Sequence, residues 1–317
     1  MSDRILALDF GGTKLAAGVV ARVDRSWQRV ARVSRRAGTD AVANYATMVD
    51  LARDVLQGQQ PTGVGVSFGG PVDSAAGIVR KSMHVPGWEQ VPLAARLTAE
   101  FGAPARIDND GNAAALGEYR YGAGQGCLGF LYVTVSTGVG GGWVLNGQVW
   151  RGRDGLAGEI GHVTVDPDGP ECLCGRRGCV ERLASGPWIA RHAQELLARH
   201  PERGALLRAT VRHDLSRIDA RLVALAAEQG DDLAQEALDH AAHALGVGLG
   251  NAANLMNPDR IAIGGGVSGA GPRYWAAVRA AARSTALPDV PVDIVPAALG
   301  DEAPLWGAVA LANDALA

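Results

Sequence analysis

Apolar residues fall along this chain in two rhythms. The first is short continuous runs that end in glycines. Ile5–Leu8 precedes Asp9-Phe10-Gly11-Gly12-Thr13-Lys14, and Gly63–Ser67 precedes Phe68-Gly69-Gly70-Pro71-Val72-Asp73. Phe130–Val135 precedes Ser136-Thr137-Gly138-Val139-Gly140-Gly141-Gly142, and Arg260–Ile263 precedes Gly264-Gly265-Gly266. Runs of this length bounded by turn residues predict strands. Leu15–Val20 and Trp143–Leu145 resume the apolar character after two of these turns, so both places predict strand, glycine turn, strand. Ala105–Asp108 and Val292–Val295 predict two more short strands. The second rhythm is helical: Val42, Tyr45, Val49, Ala52 and Leu56 recur at helical spacing and predict a helix over Val42–Leu56. Further helices are predicted over Pro92–Phe101, Ala113–Tyr121, Trp188–Arg199 (opened by Ser185-Gly186-Pro187), Ile218–Gln229, Asp232–Met256 and Asp301–Ala317. Two strand–glycine–strand units, one near the start of each half, imply an internally duplicated α/β chain. The Gly-rich stretch Tyr121–Gly129 marks the join.

Composition narrows the class. A chain of 317 residues with 47% hydrophobic content is long enough for two domains. We place the first at 1–120, rejoined by a C-terminal helix over 302–317, and the second at 121–301. The net charge of −3 supplies no field for nucleic acid or anionic membrane, and the Arg32–Arg36 block reads as a solvated face. No apolar run approaches the ~20 residues of a membrane span, and MSDRILALDF lacks a signal-peptide core. The expectation is a cytoplasmic protein. Of four cysteines, three lie within eight residues and Cys127 stands apart as a small buried hydrophobe. In a reducing compartment such clustering points to a metal.

The candidate chemistry follows from three features. GGTK lacks the P-loop spacing and the dinucleotide fingerprint is absent, but a tight hairpin that turns its N–H groups outward can still cradle phosphate. Asp9 at the strand end suits Mg²⁺, which prefers carboxylate and water oxygens. In Asp108-Asn109-Asp110-Gly111-Asn112, a carboxylate sits where a strand hands over to a helix, facing the positive end of its dipole. Asp110 could be only the N-cap there. The last feature is His162-x9-Cys172-x-Cys174-x4-Cys179, with Gly175 and Gly178 allowing the final knuckle to turn. Cys₃His ligation suits tetrahedral Zn²⁺, and four protein ligands leave no open position, so the metal is structural. Glu159 and Glu181 bracket it and can face one polar ligand together with His162.

These motifs, in this order, resemble the ROK family, in particular its bacterial glucokinases. The resemblance covers the whole chain: DFGGTK at 9–14, GGPVD at 69–73, DNDGNAAALGE at 108–118, STGVGGG at 136–142, GEIGH at 158–162, CLCGRRGCVE at 172–181 and IGGGVS at 263–268. It implies the actin-like, ribonuclease-H-like ATPase fold: two α/β domains about a cleft, with the last helix returning to the first domain. It also implies an ATP-dependent kinase acting on the 6-hydroxyl of a hexose. Asp110 matches the family's general base. Asn109, Glu159, His162, Glu181 and Gly70 match the sugar side. Asp9, Gly11, Gly12, Thr13 and Lys14 match the first phosphate loop, Thr137, Gly138 and Gly140 the second, and Gly264, Gly265 and Gly266 the adenosine side. The cofactors implied are ATP, Mg²⁺ and structural Zn²⁺, and the assembly implied is a homodimer.

Two departures concern the sugar side. The family's glucokinases usually carry Asn-Leu before Pro-Gly-Trp, where this chain has Met83-His84-Val85 before Pro86-Gly87-Trp88. They usually carry Glu-Asn-Asp at the base, where this chain has Asp108-Asn109-Asp110, a form also found in the family's N-acetylmannosamine kinases. Glucose is the expected substrate, with an N-acetylhexosamine or fructose as the alternative. A sugar-sensing repressor is the remote one: its DNA-binding segment has no room ahead of Ile5.

Overall fold

Strand pairing near the chain start fixes where the candidate residues lie. In the computed structural model, which describes residues 4–23, 26–82 and 85–316, the hairpin of β1 (Arg4–Phe10) and β2 (Lys14–Val23) forms as expected, antiparallel. A third strand, β3 (Ser26–Arg36), pairs antiparallel outside β2 and carries the Arg32–Arg36 block. That block is solvated as expected, with Arg35 and Arg36 exposed, and lies on an edge strand, where charged side chains deter further pairing. Helix α1 (Ala41–Leu56) follows, its first turn capped by the Asp40 carboxylate on the Ala43 N–H. Next come β4 (Gly63–Phe68), the small ribbon β5 (Val72–Asp73) and β6 (Ile78–Val79), α2 (Leu93–Phe101), β7 (Ala105–Asn109) and α3 (Asp110–Tyr121). The sheet order is β3-β2-β1-β4-β7, with β4 parallel to both β1 and β7.

Both faces of this sheet are covered, so all six residues of β4 are buried. Leu8, Met48, Leu51, Val66, Trp88, Leu97 and Ile107 fill one face under α1 and α2. Ile5, Ala7, Ala16 and Val20 fill the other against Leu305, Ala308 and Val309 of the last helix.

The chain then runs through β8 (Gly129–Val135), β9 (Val139–Leu145) and β10 (Gln148–Trp150), α4 (Val180–Ala184), α5 (Gly186–Arg199), α6 (Ala205–Thr210), α7 (Ala220–Glu228) and α8 (Asp232–Met256). It ends with β11 (Arg260–Gly264), α9 (Pro272–Thr285), β12 (Ile294–Pro296) and α10 (Ala303–Asp314). The second sheet has order β10-β9-β8-β11-β12. Each sheet thus opens on a meander of three strands and continues with two parallel ones, the duplication that the paired glycine turns implied. Contacts divide the chain into a first unit of 1–126, 142–158 and 298–317 and a second of 127–141 and 159–297.

Three expectations need adjustment. Helix α3 starts at Asp110 and not at Ala113, because Asn109 caps it. Gly140, Gly141 and Gly142 lie within β9 and not in a turn. A side chain at Gly142 would put its Cβ 2.8 Å from the Gly111 carbonyl and the Ala115 methyl, so glycine here lets the strand lie against α3. Helix α9 was not foreseen; it packs on α8, where a Cβ at Gly246 would meet the Val278 carbonyl at 2.5 Å.

Candidate active site

Register aligns the polar residues of the first unit. Asp9 on β1 pairs with Ser67 on β4, and Ser67 pairs with Asp108 on β7, one step before the strands end. The carboxyl ends of parallel strands are where ligands bind in open α/β sheets. The Ser67 hydroxyl, itself fully buried, donates to Asp9 Oδ1 at 2.8 Å. Burial pushes the Asp9 carboxyl up to about 7, and nearby Asp110 adds to the rise while Ser67 and Lys14 oppose it. A dication would relieve that clustered charge, so Asp9 fits Mg²⁺.

The hairpin next to Asp9 is closed by the Gly11 N–H donating to Lys14 O at 3.0 Å, which leaves Thr13 and Lys14 exposed at its tip. The Gly69-Gly70 turn is fastened to it, Gly69 N–H donating to Phe10 O at 2.9 Å. Beneath both turns Phe10, Phe68 and Trp88 pack edge to face, with Trp88 within 5.5 Å of the other two rings. The Pro-Gly-Trp motif is therefore a support for the turns. His84, whose role the sequence left open, lies with Met83 outside the described residues.

At the start of α3 the alternative that Asp110 is only the N-cap does not hold. Asn109 is the cap, its Oδ1 accepting the Asn112 N–H at 2.8 Å. Asp110 is the first helical residue, exposed, with Oδ1 accepting the Gly111 N–H at 2.9 Å and the Asn109 amide at 3.3 Å. Asp108 does not face a ligand: it is 1% exposed and paired with Arg151 at 2.5 Å. The departure at this position therefore sits behind the site.

In the second unit, the turn Ser136-Thr137-Gly138 is closed by Ser136 N–H on Gly138 O at 2.8 Å. Glu181, near the start of α4, accepts the Val139 N–H on Oε2 at 3.0 Å. A Cβ at Gly138 would come within 2.6 Å of the same oxygen. On its other side Val139 presents its carbonyl to Gly161, in the short turn Ile160–His162 that follows exposed Glu159. Val139 is thus held between the Glu159–His162 turn and the Glu181 helix.

Thr137 also borders a cavity of about 680 Å³ lined by Pro187, Ala190, Arg191, Ile218, Arg221 and Gly266 among others. Apolar walls with a few polar groups suit a flat heteroaromatic ligand. Of the three glycines at the end of β11, Gly264, Gly265 and Gly266, only Gly266 lines this cavity. Gly264 and Gly265 answer internal crowding, since a Cβ would come within 2.6 Å of the Tyr132 hydroxyl at one and 2.4 Å of the Val135 carbonyl at the other.

His162, Cys172, Cys174 and Cys179 each offer a ligand atom, all within 4.8 Å of one another. Cys174 Sγ and Cys179 Sγ are 3.6 Å apart, close to the ~3.8 Å edge of a tetrahedron with Zn–S bonds of ~2.3 Å. His162 Nδ1 is buried with no hydrogen-bond partner among the described atoms. Burial and the neighbouring thiols push Cys179 up to about 12, a cost that a bound dication reverses. The donor set fits Zn²⁺. Gly175 and Gly178 both have positive φ, as the knuckle requires. Cys127 is buried, as expected for a small apolar residue.

The site residues read from the sequence thus form a cluster in each unit. Asp9, Gly11, Gly12, Thr13, Lys14, Gly70, Asn109 and Asp110 gather at the strand ends of the first. Thr137, Gly138, Gly140, Glu159, His162 and Glu181 gather around β9 in the second. Sequence reasoning missed Ser67, Asn112 and Arg151. Register alone places Ser67 beside Asp9, and no local signal marks Arg151.

The model of the family described as ROK matches residues 5–315. A glucokinase from Halalkalibacterium halodurans is 37% identical over 300 residues, covering 92% of this chain and 88% of that one. An N-acetylmannosamine kinase from Shigella boydii serotype 18 is 34% identical over 317 residues, covering 97% of this chain and 98% of that one. The crystal structure of a ROK family glucokinase from Streptomyces griseus in complex with glucose and AMPPNP superposes with a TM-score of 0.83 at 32% identity, covering 99% of this chain and 100% of that one.

Proposed function

The chain belongs to the ROK family, and we propose that it is an ATP-dependent glucokinase, transferring the γ-phosphoryl group of ATP to the 6-hydroxyl of glucose. The observation that carries this reading is the placing of Asp9 at the carboxyl end of β1 and of Asp110 just past that of β7, on either side of β4, in a chain whose Streptomyces relative holds glucose and an ATP analogue. Phosphoryl transfer needs positioning and charge neutralisation more than covalent machinery. Asp110 accepts the proton of the 6-hydroxyl as that oxygen attacks the γ-phosphorus and ADP departs. Asp9 would hold Mg²⁺, which neutralises phosphate charge. The Gly11–Lys14 and Thr137–Gly140 turns receive phosphate oxygens, and the cavity at Gly266 receives the nucleoside. Asn109, Glu159, His162 and Glu181 bind sugar hydroxyls, with Gly70 beside them. Zn²⁺ on His162, Cys172, Cys174 and Cys179 stiffens the loop that carries them.

An N-acetylhexosamine kinase is the second reading, favoured by the Shigella relative. A coupled kinase assay over glucose, mannose, fructose, N-acetylglucosamine and N-acetylmannosamine separates the two. Glucose is expected to show the highest kcat/KM, and an N-acetylated sugar ranking first would move the assignment. The reading includes a cytoplasmic homodimer with no nucleic-acid partner. Among the described residues no helix is long and apolar enough to cross a membrane. A monomer mass by light scattering at working concentration would remove the dimer.

A further inference from the structure

Asp108 is almost fully buried and has a partner from far along the chain. Its Oδ2 accepts from Arg151 Nε at 2.8 Å and lies 2.5 Å from Arg151 Nη2. Its Oδ1 accepts the Asn109 N–H at 2.9 Å and the Asn112 side-chain amide at 3.0 Å. Asn112 in turn donates its N–H to Asn109 Oδ1 at 2.8 Å, and the Asn109 amide reaches Asp110 Oδ1 at 3.3 Å. A continuous set of hydrogen bonds therefore runs from the Arg151 guanidinium to the carboxylate assigned as base. Every link restrains the backbone or side chains of the four-residue turn Asn109–Asn112.

We propose that Arg151 is a positioning residue for phosphoryl transfer: through Asp108 it holds the Asn109–Asn112 turn so that the Asp110 carboxylate is aimed at the acceptor hydroxyl. The proposal rests on Asp110 acting as the base. The physical reason is that a carboxylate with four donors on it has one orientation, whereas the same buried carboxylate without its cation loses two of those donors and is left with an uncompensated charge that drives it to reorient. That reorientation loosens the two bonds that Asp108 makes to Asn109 and Asn112. Arg151 is one-third exposed and lines a cavity of about 300 Å³ with Ser74, Arg106, Gln148 and Asp314. A small cation can therefore reach the place its side chain would vacate.

The test is chemical rescue. Arg151→Ala is expected to lower kcat per folded enzyme by roughly tenfold to a hundredfold, as small misplacement of a reacting group does, with KM for sugar and ATP little changed. Guanidinium at non-denaturing concentration is expected to restore part of that kcat, and ammonium is not. A purely structural role would lower the melting temperature and leave the turnover of the folded fraction intact; that outcome overturns the proposal, as does rescue by any cation alike. Should Arg151→Ala not fold, Arg151→Lys keeps the charge but not the two-nitrogen contact. It is expected to fold and to lose kcat, and a wild-type kcat in Arg151→Lys overturns the proposal too. Asp110→Asn keeps this result separate from the base assignment. If Asp110→Asn is inactive and Arg151→Ala is not impaired, only the positioning role fails. Near-normal turnover in Asp110→Asn removes the base itself. With both roles correct, adding Arg151→Ala to Asp110→Asn costs little further.

Discussion

Two carboxylates share the first unit's strand ends, and their surroundings give them different work. Asp110 is exposed as the first residue of a helix. Asp9 is pushed up to about 7, chiefly by burial. Asp110→Asn is expected to reduce kcat by roughly 10³-fold, the scale of a lost general base, while calorimetry still shows glucose and AMPPNP binding. Turnover near wild type would end that role. For Asp9 the sign is worked from linkage. Its folded value lies above the ordinary 3.8, so between about pH 4 and pH 7 the native state keeps a proton that the unfolded chain has released. Its contribution to stability therefore falls as pH rises through that window, by no more than about 4 kcal/mol. Urea unfolding of the metal-free protein at low and high ends of the window should show the fall, and Asp9→Asn should flatten it. An identical slope in the variant would show that another group is responsible.

At the scale of elements, glycine punctuation made both hairpins legible, and continuous apolar runs made β4, β8 and β11 legible. Strand β3 escaped because its alternation is broken by Arg29, Arg32, Arg35 and Arg36; its strand character comes from pairing with β2, which no local pattern records. Helix α9 escaped because its buried face is only Tyr274, Val278, Ala281 and Ala282, too weak a stripe beside its arginines. The metal loop was legible in full, from spacing alone, but not its contact with the second turn. Glu181, two residues beyond the ligand Cys179, braces Val139. Elemental analysis is expected to find about one zinc per chain. Cys172→Ser should then raise KM for sugar and, through Glu181, KM for ATP as well, by roughly tenfold each if one hydrogen bond to a charged group is lost. Full activity in zinc-free protein would sink the stiffening role, and an unchanged KM for ATP would sink the link through Glu181.

At the scale of the whole chain, what stayed hidden was contact between distant segments: Ser67 on Asp9, Arg151 on Asp108, and the carboxylate of Glu118. Glu118 sits inside a motif that the sequence did mark, yet its task depends on residues 180 positions away. It is fully buried, and its Oε2 accepts the N–H groups of Ala123 at 2.8 Å and Ala298 at 3.0 Å, while Oε1 accepts that of Leu299 at 2.7 Å. Those residues are where the chain leaves the first unit, just before Cys127, and where it re-enters it at Ala298. One side chain thus fastens the first and last of the four crossings to the end of α3. Glu118→Ala would remove the shared acceptor of three backbone donors; Ala298 is exposed and can turn to water, while Ala123 and Leu299 are half-buried and each loses a bond to a charged group worth about 1.5–3 kcal/mol, so a loss of roughly 3–6 kcal/mol is expected. Glu118→Gln fills the space but turns an amide donor toward those N–H groups, so it should recover less than half of the loss. Chemical denaturation of both variants measures this directly. A loss under about 1 kcal/mol in Glu118→Ala would mean that water or a shifted backbone takes the place of the carboxylate, and that the crossings are held by packing instead.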